Sequence, residues 1–442
     1  MRRWTIGLVV AGGLLAADGT TALHRAAHRD DIAAVEQLLR AGEDVKAANR
    51  YGVTALSLAC TNGNGKMVAR LLEAGADPNA ELPGGETALM TAARTGSVEA
   101  VRALLAKGAN VKGKEKKQGQ TALHWAAAEG NVGVIEELVK AGAEVGDRLD
   151  SGYTALLFAV REGHIGAVKA LLKAGADGND TTPTGGRRAA PARSPRAGTS
   201  ALILATLNAH YELAALLLEA GANPNADGPG YTALHVVTWV RKPGGGDNDP
   251  APDGSGNMTS LEFVRKLVAK GANVNARMPK KISVGMTGLN TAGGTAFFLA
   301  ARTADAELMR ELAKLGADPK LPNENGSTPL MAAAGLGTRS PGEDAGTEAE
   351  VVQALELALE LGNDIDAVDQ NGETAMHGAA YKNLPGAILL LAQRGAKREV
   401  WDRKNKFGWT PMRIAEGYRF GNYKPSDVTM AAFRKVMAEA NR

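Results

Sequence analysis

The sequence predicts an all-α solenoid made of repeated helix-turn-helix units that end in extended fingers. A phrase of the form Thr-Ala-Leu-His recurs along the chain, and steps close to 33 residues separate most of its copies. A second phrase, of the form Gly-Ala-Asp-x-Asn, follows many of these copies at a fixed phase. Aromatic residues make up only 4% of the 442 residues, and small side chains dominate. Together these features favour thin helices that stack closely in a repeat array.

Each unit has the sequence signals of two short helices and a turn. In the first unit, the hydroxyl of Thr21 can cap the first helix, and small residues follow it. Val35, Leu38 and Leu39 have helical spacing and indicate a second helix. Gly42 stands just after that helix, where a left-handed residue commonly ends one. The Asp- and Asn-rich stretch that comes next favours a turn or hairpin, so each unit ends in a finger.

These two phrases in fixed phase resemble the ankyrin repeat family. The match is carried by Thr-Ala-Leu-His-x-Ala-Ala at 21–27 and by Gly-Ala-Asp-x-Asn at 75–79, and it extends over about residues 20–420. The resemblance implies an elongated, curved α-solenoid with β-hairpin fingers and a role in protein binding. Several units lack the histidine, and two are split between their helices.

The chain divides into a leader, a repeat array and a terminal unit. Residues 1–17 carry two arginines, an uncharged apolar run and Ala16-Ala17, which is the pattern of a secretory signal peptide. We therefore expect an exported protein, periplasmic or extracellular, of bacterial type, with no transmembrane span after cleavage. An uncleaved anchor or an apolar start of the first helix is the alternative. Residues 18–409 form an array of about ten units, and 410–442 form a capping unit.

Four insertions interrupt the array, near residues 179–198, 242–258, 278–294 and 335–347. The phase of the repeats predicts that the first and third emerge at fingertips, and that the second and fourth emerge at the opposite turns. The first is rich in Pro and Arg and has the composition of a flexible, basic segment. Long loops in a tight array are either functional or disordered, and the sequence leaves both open.

Aromatic residues are the candidate anchors for a partner, since aromatics carry much of the energy of interfaces. Some fall on first helices, which line the concave face in the implied architecture, and others fall on fingers. The alternative for those on the helices is packing against the adjacent finger. The candidates on first helices are Trp125, Phe158 and Trp239, and those on fingers are Tyr51, Tyr153 and Tyr231.

Basic residues cluster on successive fingers although the net charge is only +3. Fingers line one edge of such an array, so the clusters can form a basic stripe that suits an acidic protein or another polyanion. Solvated loops with no ligand are the alternative. The candidate binding residues are Lys116, Lys117, Arg187 and Arg188. Further basic residues are Lys112, Lys114, Arg193, Arg196, Arg277, Lys280, Lys281, Arg403, Lys404 and Lys406.

The sequence contains no complete motif for catalysis or metal binding. His24, His124, His235 and His377 share one phase of the repeat, so we expect them to bond neighbouring turns. We expect the other three histidines, His28, His164 and His210, at the surface, and Cys60 in the core. Asp247, Asp249 and Asp253 resemble part of a calcium loop, but the ligand pattern is incomplete.

We therefore expect a non-catalytic scaffold that binds a protein partner through the concave first-helix face and the fingers. Binding of an anionic polymer or surface is the alternative function. We expect no cofactor, no metal and no nucleic acid, and an enzyme that uses the insertions is the least favoured class. The sequence does not name the partner or the oligomeric state, because recognition in a repeat array lies in scattered surface positions.

Overall fold

A computed structural model of the chain describes residues 18–183, 196–244, 251–283, 287–421 and 423–439. It divides into two compact units, Met1–Asp177 and Gly178–Arg442. The predicted signal peptide 1–17, Arg187 and Arg188 lie outside the described residues, as do Asp247 and Asp249.

The described part of the Met1–Asp177 unit contains five helix pairs. They are α1 (Ala22–His28) and α2 (Ile32–Arg40), α3 (Ala55–Asn62) and α4 (Gly65–Glu73), α5 (Ala88–Thr95) and α6 (Val98–Ala106), α7 (Ala122–Glu129) and α8 (Val132–Lys140), and α9 (Ala155–Glu162) and α10 (Ile165–Lys173).

The Gly178–Arg442 unit continues the pattern with longer connections. Its helices are α11 (Ala201–Leu207), α12 (Tyr211–Glu219), α13 (Ala233–Arg241), α14 (Ser260–Ala269), α15 (Ala296–Arg302), α16 (Ala306–Lys314), α17 (Pro329–Ala333), α18 (Glu348–Glu360), α19 (Ala375–Lys382), α20 (Pro385–Gln393), α21 (Arg398–Trp401), α22 (Pro411–Ala415) and α23 (Asp427–Glu439).

Within each unit the helices stack in two rows. First helices contact first helices, in the order α1, α3, α5, α7, α9 and again α11, α13, α15, α17, α19, α22. Most second helices likewise contact each other, as α4, α6, α8 and α10 do. Small residues within the first helices make this close approach possible, since Ala26, Ala27 and Ala59 are fully buried. The prediction of an all-α repeat fold is confirmed.

The predicted caps are present at the first helices. Thr54 has extended backbone, and its hydroxyl accepts a hydrogen bond from the amide of Ser57, which satisfies one of the free donors at the helix start. Gly42 and Gly75 follow the ends of α2 and α4 with φ of 87° and 94°, in the left-handed region. A residue with a Cβ would be strained there, so glycine ends these helices.

The four phased histidines fasten helices to fingers, as the sequence predicts. In each case Nδ1 lies 2.8–3.1 Å from the hydroxyl of the capping threonine, and Nε2 lies 2.8–3.2 Å from a main-chain carbonyl oxygen of a finger. His210 corrects a prediction, because it is buried and accepts a hydrogen bond from the amide of Ser255 in the second insertion. Cys60 is fully buried, and burial raises the pKa of its thiol to about 12.

The asparagine of the second phrase links successive fingers. Asn79 Nδ2 donates to the carbonyl oxygen of Gly108 over 3.0 Å, and Asn79 Oδ1 accepts from the amide of Asn110 over 2.7 Å. Asn225 makes the same pair of bonds to Gly271 and Asn273. In the described part of the chain, single β-bridges such as that of Glu81 with Thr87 close individual fingers, and no longer strands are present.

The fourth insertion, 335–347, is held by buried charges. Arg302 and Asp344 form an ion pair of 3.0 Å, and both side chains are at most 4% exposed. The hydroxyl of Thr338 donates to the second oxygen of Asp344 over 3.0 Å. Lys382 is also buried and donates to the carbonyl oxygen of Ala345. This insertion is therefore tied to the array at several points.

The C-terminal segment packs on the end of the array. Helix α23 contacts α20, and the rings of Trp401 and Phe433 lie 5.8 Å apart in the interior. Arg419 is 1% exposed, and its guanidinium donates to the carbonyl oxygen of Tyr381 over 2.8 Å and to Oδ1 of Asn383 over 3.0 Å. These contacts cover apolar surface that a last repeat would otherwise leave open to water.

Candidate interaction surface

Trp125 lies half-buried on α7 and is covered by an arginine of the preceding first helix. The guanidinium carbon of Arg94 lies 4.9 Å from the centre of the Trp125 ring, within the range of a cation–π contact. Arg94 itself is exposed. The pair therefore offers a flat, polarisable surface with a positive edge on the first-helix face.

A second aromatic group lies on the next repeat of the same unit. Tyr153, at the base of a finger, and Phe158, on α9, have ring centres 5.5 Å apart. The guanidinium carbon of Arg161 lies 5.0 Å from the Phe158 ring and 5.9 Å from the Tyr153 ring. Phe158 is only 9% exposed, so Tyr153 and Arg161 present the accessible part of this group. Burial raises the pKa of the Tyr153 hydroxyl.

Two of the predicted anchors are packing residues. Trp239 is 6% exposed and Tyr231 is 1% exposed, and their rings meet edge to face at 5.2 Å. Almost none of either side chain is available to a partner in this conformation. The burial of Trp239 and of most of Phe158 favours the packing alternative for these two residues. The Trp239 ring packs on Tyr231, and the Phe158 ring packs between Tyr153 and His124.

Tyr51 lies at the tip of the first finger and is 52% exposed. Its hydroxyl accepts a hydrogen bond from the guanidinium of Arg50, which also lies 4.7 Å from the centre of its ring. Tyr51 thus shares with Trp125 and Tyr153 the combination of an accessible aromatic ring and an arginine. The Met1–Asp177 unit carries all three.

The finger that carries Lys112, Lys114, Lys116 and Lys117 is largely neutralised by acidic residues of the neighbouring fingers. Lys112 pairs with Glu144 at 2.5 Å, Lys114 with Asp147 at 2.7 Å, and Lys116 with Glu81 at 3.2 Å. Lys116 and Lys117 are both exposed. Exposed ion pairs of this kind are worth little in stability, but they lower the positive potential that a polyanion would meet. The sequence could not show this, because the acids stand on other fingers.

The arginines were the residues that the sequence analysis missed. Arg94 and Arg161 each stand seven residues after the threonine that caps their own helix. That shared phase was a usable signal, since residues at one phase fall at equivalent places in successive repeats. Their stacking on aromatic rings depends on which aromatic residue lies beside them, and only the structure shows that.

Among the described residues, no group of three or more His, Cys, Asp or Glu side chains is placed to hold a metal ion. In the same residues, no helix has the length and apolar character needed to cross a bilayer.

Comparison with known families agrees with the architecture. The model described as "Ankyrin repeats (3 copies)" matches residues 7–82, 81–148 and 114–182, and the model described as "Ankyrin repeat" matches 197–228. The chain is an ankyrin repeat protein. Beyond residue 228, its repeats rest on the recurring phrases and on the helix pairs of the structure.

Curated relatives match this chain over a small part of their own length. The chain is 31% identical to neurogenic locus notch homolog protein 2 of Homo sapiens over 204 residues, which cover 41% of this chain and 8% of the relative. It is 32% identical to neurogenic locus notch homolog protein 1 of Xenopus tropicalis over 217 residues, which cover 43% and 8%. The chain thus spans less than a tenth of these relatives.

Proposed function

We propose that this ankyrin repeat protein is a non-catalytic scaffold that binds a protein partner through the first-helix face and fingers of its Met1–Asp177 unit. Ankyrin repeats are generally protein-interaction modules, and the chain carries them. The observation that supports this face is the set of accessible aromatic rings with arginines stacked on them: Tyr51 with Arg50, Trp125 with Arg94, and Tyr153 with Arg161.

The chemistry of these groups suits recognition of a protein. Tryptophan, tyrosine and arginine are the residue types that most often dominate binding energy at interfaces. The stacking holds each arginine near one position before a partner arrives, so less side-chain entropy is lost on binding. A partner with carboxylates beside an apolar surface would contact the guanidinium groups and the rings together.

We further propose that the protein acts outside the cytoplasm, in the periplasm or the medium. The support is the sequence of residues 1–17, with its basic start, apolar run and small residues before Asp18. In this proposal, 18–409 is the working array and 410–442 is its cap.

The second candidate function is binding of an anionic polymer or surface through basic fingers. It is favoured by the exposure of Lys116 and Lys117 and by the arginines of the first insertion. The ion pairs of Lys112, Lys114 and Lys116 weaken it, because a polyanion would have to displace three carboxylates.

Affinity capture from a native envelope and secreted fraction tests the proposal, with the chain from Asp18 onward as bait. We expect one protein to be retained at moderate salt and to be lost when Trp125→Ala and Arg161→Gln are introduced together. Arg40→Gln is the matched control, because Arg40 is an exposed arginine on α2, in the second-helix row.

Retention that is unchanged in the double variant would contradict the proposed face. Loss of retention after neutralising Lys112, Lys114, Lys116 and Lys117, with the aromatic variants unaffected, would support the anionic alternative instead. Circular dichroism of each variant shows whether the fold is retained.

A further inference from the structure

Three irregular segments of the Gly178–Arg442 unit meet around one cavity of about 420 Å³. The third insertion contributes Lys281 and Asn290, the fourth contributes Arg339, and the C-terminal segment contributes Phe420. Regular fingers complete the wall. The volume falls within the roughly 300–1,000 Å³ that is usual for small-molecule sites. Departures from the repeat that lie far apart in sequence thus build a single concave surface.

The two insertions are joined directly. The amide of Gly288 donates to the carbonyl oxygen of Gly337 over 2.7 Å, and Thr287 forms a β-bridge with Thr338. The C-terminal segment closes in from the other side, since a Cβ on Gly421 would lie 2.2 Å from the carbonyl oxygen of Arg339. These contacts fix the wall of the cavity before any ligand arrives.

The cavity is positively charged. Lys281, Arg339 and Lys406 line it with exposed side chains. Glu373 is the one acidic residue among the described residues of the lining. Three cations against one buried acid attract an anion, and a concave wall of low polarisability focuses their field.

Glu373 has one oxygen that is held by the protein and one that is not. Its side chain is 6% exposed, and Oε1 accepts hydrogen bonds from the Tyr381 hydroxyl over 2.7 Å and from Asn405 Nδ2 over 2.9 Å. No described residue donates to Oε2, although Glu373 lines the cavity. Burial raises the pKa of this carboxyl, and the two hydrogen bonds oppose that shift. Oε2 is not among the buried unpaired side-chain atoms of the described residues, so it keeps contact with solvent in the cavity and can accept a hydrogen bond from a hydroxyl of a ligand.

The rest of the lining combines amides with an aromatic corner. Asn290 Nδ2 donates to Asn325 Oδ1 over 3.1 Å, and Lys406 donates to Asn371 Oδ1. Phe407 and Phe420 meet edge to face with ring centres 4.9 Å apart, and they are 42% and 50% exposed. Amides both donate and accept, as hydroxyl groups do. The exposed rings offer an apolar surface for the C–H face of a ring.

We propose that this cavity binds an acidic saccharide of one or two rings, with its carboxylate or phosphate on Arg339 and Lys406 and a hydroxyl on Glu373 Oε2. The cations supply charge-assisted hydrogen bonds to the anionic group. The asparagine amides and Glu373 form hydrogen bonds with the hydroxyls of the sugar, and Phe407 and Phe420 contact its ring. A neutral sugar lacks the first of these contacts. The site is separate from the surface proposed for a protein partner, so either proposal can fail without the other.

Titration calorimetry of the full chain with three probes tests this proposal. The probes are D-glucuronate, D-glucose 6-phosphate and D-glucose. We expect at least one of the acidic sugars to bind, and glucose to bind at least tenfold more weakly. The stronger of the two acidic sugars identifies whether carboxylate or phosphate is the preferred anion.

Matched variants locate the binding. Arg339→Gln and Lys406→Gln should each weaken the binding of the acidic sugar at least fivefold. Lys404→Gln is the control, because Lys404 is exposed on the same finger but is not part of the lining. Glu373→Gln should also weaken the binding of the acidic sugar, because an amide nitrogen in place of Oε2 cannot accept a hydrogen bond from a hydroxyl of the sugar. If the Glu373→Gln variant does not fold, Arg339→Gln and Lys406→Gln still show whether the sugar binds in this cavity.

Three results would overturn the proposal. They are binding of neither acidic sugar, equal binding of glucose, and equal effects of Lys404→Gln and Lys406→Gln. An Asp-Asp-Gly tripeptide that binds more tightly than both acidic sugars would also overturn it, since the site would then recognise an acidic peptide.

Discussion

The buried histidines predict that mild acid destabilises the Gly178–Arg442 unit. Nδ1 of His377 accepts a hydrogen bond from the main-chain amide of Thr374 and lies 3.1 Å from the hydroxyl of the same residue. The proton of the neutral imidazole is therefore on Nε2, which donates to the carbonyl oxygen of Arg403. A second proton on Nδ1 would remove that acceptor and place a charge in the interior. Burial lowers the pKa of His377 to about 4, although the hydrogen bond to Arg403 opposes this shift. Burial also lowers the pKa of His235 to about 4.

The sign and size of the effect follow from linkage. An unfolded histidine has a pKa of about 6.5, so between about pH 6.5 and pH 4 the unfolded chain binds more protons than the folded chain. The free energy of unfolding therefore falls as the pH falls through that range. From pH 7 to pH 5 the loss is about 2 kcal/mol for each histidine, or about 4 kcal/mol for His235 and His377 together.

Two measurements check this prediction. Histidine ring signals in NMR, assigned with His377→Gln, should show that the His377 pKa is below 5. Urea unfolding followed by tryptophan fluorescence should show wild-type stability falling from pH 7 to pH 5. In His377→Gln the fall should be smaller by about 2 kcal/mol, while the stability at pH 7 drops by roughly 1–3 kcal/mol through the lost hydrogen bonds. A His377 pKa near 6.5, or an unchanged pH dependence in the variant, would refute the reasoning.

Other predictions concern buried groups of the same unit. Burial lowers the pKa of Lys382 to about 8, so stability should rise by about 2 kcal/mol from pH 7.5 to 9.5, and urea unfolding of Lys382→Met should show no such rise. Asp344→Ala leaves Arg302 buried without its ion partner and should cost about 3–5 kcal/mol in urea unfolding, with Asp318→Ala, on an exposed finger, as the control. Phe263→Ala removes a fully buried ring that stacks on Tyr211 at 5.5 Å and should cost about 3–5 kcal/mol; a cost below 1 kcal/mol would show that the site collapses around the smaller side chain.

The local features of this protein are those that the sequence determined by itself. The period of 33 residues, the threonine caps, the glycines after α2 and α4, and the role of the phased histidines all follow from residues close in sequence or at one phase of the repeat. A cap needs only its own helix, and a repeat places equivalent residues in equivalent surroundings. These predictions hold because neighbouring units impose the same constraint each time.

The tertiary structure alone decided which candidate residues are accessible and what they meet. Trp239 and Trp125 are both tryptophans on first helices, yet one is 6% exposed and the other carries Arg94 on an accessible ring. The lysines of the basic finger meet acids about 32–35 residues away. The cavity around Glu373 joins segments separated by well over 100 residues, from Lys281 to Phe420. No local rule or repeat phase fixes the contacts around this cavity, because they depend on how the irregular segments fold back onto the array.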